Sequence, residues 1–230
     1  MTDDSAPAEV RAEAAKTAAE DARRGLDRLV FFSDAVVAIA ITLIVLPLVD
    51  LAREPGIGST ADFFRENSQG LAAAGLGFVV IASFWREHHH LFNRAIGFTR
   101  LLVSLNLLWL AGIAFLPLAT VLKVSADPSD LLANGLYIGV VGLTMLLSRA
   151  EELVLVREHL FEPGAEPSPR QLQARWVPVA LILIAFVVSL VWPALGLWPV
   201  ALLVLSRPIG ALVRRIRPRT ARPSSPAGSP

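Results

Sequence analysis

One acid stands at the head of a long apolar stretch. It is Asp34, in Arg28-Leu-Val-Phe-Phe32-Ser33-Asp34, and no further charge follows before Asp50. A carboxylate within an apolar membrane span costs roughly 3 kcal/mol near the centre and less toward an end. It therefore takes a donor or stays in interfacial water. Arg28 lies six positions earlier, some 240° around a helix, and is a poor partner within the same helix. A donor on another helix is the better reading, with cytoplasmic interfacial water the alternative. Candidate donors sit in Trp85-Arg-Glu-His88-His89-His90-Leu-Phe92, where helical spacing puts Trp85, His88 or His89, and Phe92 on one face. Indole and imidazole N–H groups donate to carboxylates and hydroxyls. Consecutive histidines on a helix diverge by about 100° each, so they do not converge on a metal ion. The chain has no cysteine and no acid at a clear ligand spacing, so no metal is expected. A pH-sensing histidine is chemically open; interhelical hydrogen bonding or interfacial placement is the plainer expectation. Asn106 adds an amide inside a third apolar run, a residue type that bonds between helices. Pro117 and Thr120 mark a kink or simple packing in the same run.

The elements that must position these groups are membrane spans. Of 230 residues, 54% are apolar and 18% charged, with mean hydropathy +0.56, against about a quarter charged in soluble domains. The apolar residues come in blocks, so the chain reads as an all-α integral membrane protein. Net charge is +1, which gives no field for nucleic acid. The apolar block Leu29–Val49, uncharged after Asp34, and the uncharged runs Asn67–Trp85, Leu101–Leu122 and Leu131–Ser148 each suit a span of roughly 20 residues. A fifth run, Trp176–Ser206, would be about 46 Å long as one helix, too long for one crossing. Pro193, Gly196 and Pro199 break it at the middle. Two helices from Leu172 to Val213 are expected, with Arg175 and Arg207 snorkelling at one face and Trp192 and Trp198 in the belt at the other. Six spans with both termini cytoplasmic place 18 Lys and Arg inside and 3 outside, in strong agreement with the positive-inside rule.

Residues 1–24 read as a solvated cytoplasmic tail, helical in its second half; 25–213 as the membrane domain; 214–230 as a disordered basic tail. Glu151, Glu152, Arg157 and Glu158 read as a solvated extension of the fourth span. The chain shows no phosphate loop, no Gly-x-Ser-x-Gly and no His-Glu-x-x-His, and neither paired acids nor a nucleophile with its base. It does not read as an enzyme and implies no cofactor. The backbone filter of common potassium channels is also missing; the single tyrosine, Tyr137, lies within an unrelated span. A secondary transporter would show inverted repeats and midplane binding groups. Only Thr42 and Asn106 qualify, and no repeat is visible. A non-conducting scaffold stays open as the other alternative.

Arg28-x-x-x-Phe32-Ser33-Asp34, followed by Ala38-Ile-Ala-Ile-Thr-Leu-Ile-Val-Leu46, resembles the first helix of the transmembrane protein 175 family of potassium channels. Trp85-x-x-His88-His89-x-Leu91-Phe92 is similar to its second-helix signature, and Asn106-Leu-Leu-Trp with Pro117 and Thr120 to its third. The resemblance covers residues 25–125 well and the remainder by span count. It implies a prokaryotic subunit of six helices in the plasma membrane, assembled as a homotetramer whose first helices line the pore. It further implies a potassium-permeable channel with an apolar constriction at Ile39, Leu43 and Leu46, and Thr42 adjacent. Arg28, Phe32, Ser33, Asp34, Trp85, His88, His89 and Asn106 would form the family motif and an interhelical network. Permeant K+, membrane lipid and other copies of the chain are the implied partners. With Ile39 at 0°, the stripe including Ala35, Thr42, Leu43 and Leu46 spans roughly 100° of an ideal helix. The opposite face, with Val37, Ile41 and Ile44, is equally apolar, and spacing alone does not choose between them.

Overall fold

The computed structural model describes residues 8–53, 58–127 and 129–192. A single helix, α1 (Ala8–Leu51), carries both the charged N-terminal stretch and the first apolar run. Its alanine-rich start is strong helix-forming sequence, and the chain is already helical at Ala8, not only in the second half of the tail. No break in the backbone separates tail from membrane segment. Leu26, Ser33, Val37, Ala40 and Ile44 are its buried residues. Their spacing of seven, four, three and four keeps them on one face.

A short helix, α2 (Thr60–Glu66), is fixed by a capping box. The Ser59 hydroxyl accepts from Asp62 N–H at 3.2 Å while the Asp62 carboxylate accepts from Ser59 N–H at 3.1 Å. The Ser59 hydroxyl, followed by the Ser59 amide and Arg65, holds the Asp62 carboxyl below the usual carboxylate range. Then come α3 (Ser68–Phe92), α4 (Arg100–Ser125), α5 (Leu131–Arg157), α6 (Pro169–Ala174) and α7 (Val177–Val191). Asp130 caps α5 by accepting from Leu132 and Ala133 N–H at 2.9 and 3.0 Å. By length and composition α1, α3, α4, α5 and the α6–α7 segment Pro169–Ser189 could each cross a membrane. The described residues thus form an all-α membrane protein with five candidate spans. The expected sixth span, with Pro193, Gly196, Trp198, Pro199 and Arg207, and the 214–230 tail lie outside the described residues.

The main core joins α1, α3, α4, α5 and α7 around Val37, Ile44, Ile81, Trp109, Ile113, Tyr137 and Ile182. Glycines let the helices come close. A Cβ on Gly112 would stand 2.4 Å from the Thr144 hydroxyl, so α4 meets α5 there almost backbone to side chain. On α3, a Cβ at Gly77 would stand 2.8 Å from the tip of Ile44.

A second apolar cluster closes the Arg28 end of the bundle, built from Leu26, Leu91, Phe92, Leu102, Leu155 and Phe161. Two loops are tied over it. Ile96 N–H donates to the Leu160 carbonyl and Glu162 N–H to the Arg94 carbonyl, both at 2.9 Å, around an antiparallel bridge between Ala95 and Phe161. Pairing them satisfies backbone groups that a buried loop would leave unbonded.

Candidate functional site

Ser33 is one turn inside the apolar part of α1 and fully buried. Its hydroxyl donates back to the Leu29 carbonyl at 2.8 Å, one turn earlier. Its oxygen is left to accept, and Asn106 Nδ2 of α4 donates to it at 2.9 Å. The Asn106 Oδ1 in turn faces His88 Nε2 of α3 at 2.7 Å. An amide oxygen only accepts, so with the amide placed this way His88 carries hydrogen on Nε2. The His88 ring lies between Phe92 and Trp109, stacked at centroid distances of 4.2 and 4.3 Å. One buried chain of hydrogen bonds therefore runs α3–α4–α1, and stacking holds its histidine in place.

Asp34, the neighbour of Ser33, takes a separate donor. Trp85 Nε1–H of α3 donates to its Oδ1 at 2.8 Å. His89 stacks on Trp85 at 5.3 Å. This pair lies at the bundle's edge; Trp85 is exposed and Asp34 half-buried. The three histidines go separate ways: His88 into the core, His89 onto Trp85, His90 to the exposed side. Arg28 and Phe32 are exposed on α1 and are not brought into either set of bonds.

The other sequence-predicted residues lie on the opposite side of α1. Ile39, Leu43 and Leu46 are 60%, 42% and 47% exposed, and Thr42 is exposed. Val37 and Ile44, on the face that spacing alone left equal, are 2% and 4% exposed. The buried face is centred roughly 130° from Ile39 on an ideal helix. Thr42 donates its hydroxyl hydrogen to the Ile39 carbonyl at 2.7 Å. Its oxygen lone pairs remain available on the exposed side.

A polar cluster that the sequence reading did not pick out lies farther along α5. Arg149, Glu151 and Glu152 are buried rather than solvated. Arg149 donates to Glu152 Oε2 at 2.5 Å and to Glu87 of α3. Arg175, expected to snorkel, instead donates to the other Glu152 oxygen. The local signal was the Arg149/Glu152 pair at i and i+3; the other partners are 62 and 23 residues away in sequence.

A family model described as endosomal/lysosomal potassium channel TMEM175 matches residues 28–117, the stretch from Arg28 through the network to Pro117. A potassium channel of Streptomyces collinus is 31% identical over 154 residues, which cover 65% of this chain and 74% of that protein. The crystal structure of a lysosomal potassium-selective channel TMEM175 homolog from Chamaesiphon minutus is similar with a TM-score of 0.65 at 20% identity. That likeness covers 82% of this chain and 98% of the other, and it carries the fold.

Proposed function

The chain belongs to the TMEM175 family of potassium channels, and we propose that its K+ pathway is lined by the exposed stripe of α1. It is a multi-pass membrane protein and not an enzyme. Within the proposal, six spans with cytoplasmic termini cross a prokaryotic plasma membrane. Four copies gather their first helices around one axis. Ile39, Leu43 and Leu46 then form apolar rings, with Ile39 the narrowest.

The observation that carries this reading is the division of α1 into two faces. Ser33, Val37, Ala40 and Ile44 are consumed by packing within the subunit, whereas the Ile39 stripe is left uncovered. An apolar ring blocks ions when it is narrow enough to exclude water and passes them when slightly wider. Because the Thr42 hydroxyl hydrogen is spent on a backbone carbonyl, its oxygen presents lone pairs to a partly dehydrated cation. The Ser33–Asn106–His88 chain and the Asp34–Trp85 pair hold α1 at the correct rotation and do not select the ion.

The experiment is K+ flux into liposomes holding the purified protein, with Na+ and proton controls, for wild type and Ile39→Asn. K+-preferring flux that loses its preference in the variant is expected. Flux and preference unchanged by Ile39→Asn would remove Ile39 from the pore. Absence of flux from assembled wild type would favour the scaffold reading.

A further inference from the structure

Four charges stand in line across one end of the bundle. Glu87 of α3 accepts from Arg149 of α5, Arg149 donates to Glu152 at 2.5 Å, and Glu152 accepts from Arg175, just after α6. The middle pair is almost wholly buried, and the two outer side chains, Glu87 and Arg175, are 30% exposed. One planar guanidinium thus serves two acids on two helices, Nη2 taking Glu87 and Nη1 taking Glu152. A fork bonded in this way fixes an angle as well as a distance.

The line joins helices that otherwise pack elsewhere. Among the described residues, α3 packs chiefly on α1 and α4, and α5 chiefly on α4 and α7. Its α3 member also has a particular place. Glu87 lies between Trp85 and His88, and these are the α3 residues that reach α1: Trp85 donates to Asp34, and His88 meets Ser33 through Asn106. On an ideal helix Glu87 stands about 160° around from Trp85 and about 100° from His88. A single turn of α3 is therefore held by α5 on one side and by α1 on another. That turn cannot rotate for one partner without moving for the other.

We propose that the Glu87–Arg149–Glu152–Arg175 line is a positioning device for α1. It fixes the rotation of the Trp85–His88 turn, and that turn passes the rotation on to Asp34 and Ser33. Glu87 is the positioning residue; it acts through α3 and not at the Ile39 stripe. The rotation of α1 is a property of one subunit, while its consequence for K+ rests on the pore reading above.

The test uses the full chain, which has no cysteine of its own. Introduced cysteines carry spin labels at Phe31 of α1 and Leu153 of α5, both exposed. Labelled chain is diluted with unlabelled chain in liposomes, and the distance between the labels is read by pulsed electron resonance beside K+ and Na+ flux. Glu87→Gln keeps the shape of the side chain and removes its charge. It should shift the distance by about 3 Å, the displacement that roughly 30° of rotation gives at the surface of a helix about 10–12 Å across, and lower the ratio of K+ to Na+ flux. Ile182→Ala, which trims the buried core on α7, should lower the thermal midpoint and leave the distance at its wild-type value. A lowered midpoint with an unmoved distance in Glu87→Gln would make the line a brace only and overturns the proposal. A shifted distance with unchanged flux upholds it and counts against the pore reading instead. If Glu87→Gln does not fold, Arg175→Gln decides. Without Arg175, Glu152 draws Arg149 away from Glu87, so the same shift should appear at smaller size, and its absence overturns the proposal.

Discussion

Ser33, Val37, Ala40 and Ile44 of α1 are buried against their own subunit, while Ile39, Thr42, Leu43 and Leu46 of the same helix touch little of it. Each face has three apolar residues and one hydroxyl. What separates them is the partner each is given. Toward the buried face, α3 brings Gly77, with no side chain to keep Ile44 away, and α4 brings Asn106, whose amide reaches Ser33. Among the described residues, the exposed face takes no hydrogen-bond partner from another helix; Thr42 bonds back to its own helix. In a membrane, where burying apolar surface gives no gain over lipid, close packing and interhelical hydrogen bonds decide which face turns inward. The difference assigns stability to one side of α1 and leaves the other exposed in the subunit, as the proposed pore lining requires.

The sharpest way to break the comparison is to remove the bond that defines the buried face. Asn106→Leu leaves the His88 Nε2–H without an acceptor and Ser33 without its donor. A loss of about 2 kcal/mol is expected, read as a lower thermal midpoint and poor recovery of assembled protein. If flux selectivity changed while stability held, the faces would not be separate. Asp34→Ala should cost less, about 1 kcal/mol, because its bond to Trp85 lies at a half-wet edge. It should reduce assembly or expression more than ion preference. Size-exclusion profiles and K+ over Na+ flux check it together; normal assembly with lost K+ preference would make Asp34 a filter residue instead.

The five described spans follow the uncharged runs because a span ends where solvated charge begins. Where α3 and α5 outran those runs, part of the charge was buried rather than solvated. α3 continues past Trp85 to Phe92 and α5 past Ser148 to Arg157. Glu87, Arg149, Glu152 and Arg175 neutralise one another there, through contacts that span 62 and 23 residues of sequence. A reading by segment treats each of them as meeting water, which is why Glu151 and Glu152 read as a solvated extension and Arg175 as a snorkelling residue. Asp34 was conspicuous because one acid in an apolar run demands a partner, and the segment from Trp85 to Phe92 was the nearest supply of donors. Its rotation against α3 was not legible, nor was the choice between the Val37 and Ile39 faces. Hydrophobicity is the same on both, and the information lies in α3 and α4.

The last test lies within the exposed side itself, and it has the smallest expected effect on stability. Val45 and Leu46 are neighbours, 45% and 47% exposed, and point about 100° apart on α1. Neither is held by the subunit core, so trimming either to alanine should change stability within about 0.5 kcal/mol. Their roles diverge only if α1 faces a pore along the Ile39 stripe. Leu46 lies on that stripe, roughly 20° from Ile39, and Val45 about 120° away, toward lipid or a neighbouring subunit. Leu46→Ala should widen an apolar ring and raise K+ flux, whereas Val45→Ala should leave flux at the wild-type level. Equal stability with unequal flux would separate a pore lining from a merely unpacked surface, which burial in one subunit cannot do. Equal flux from both would place the stripe against lipid and return the constriction to another helix.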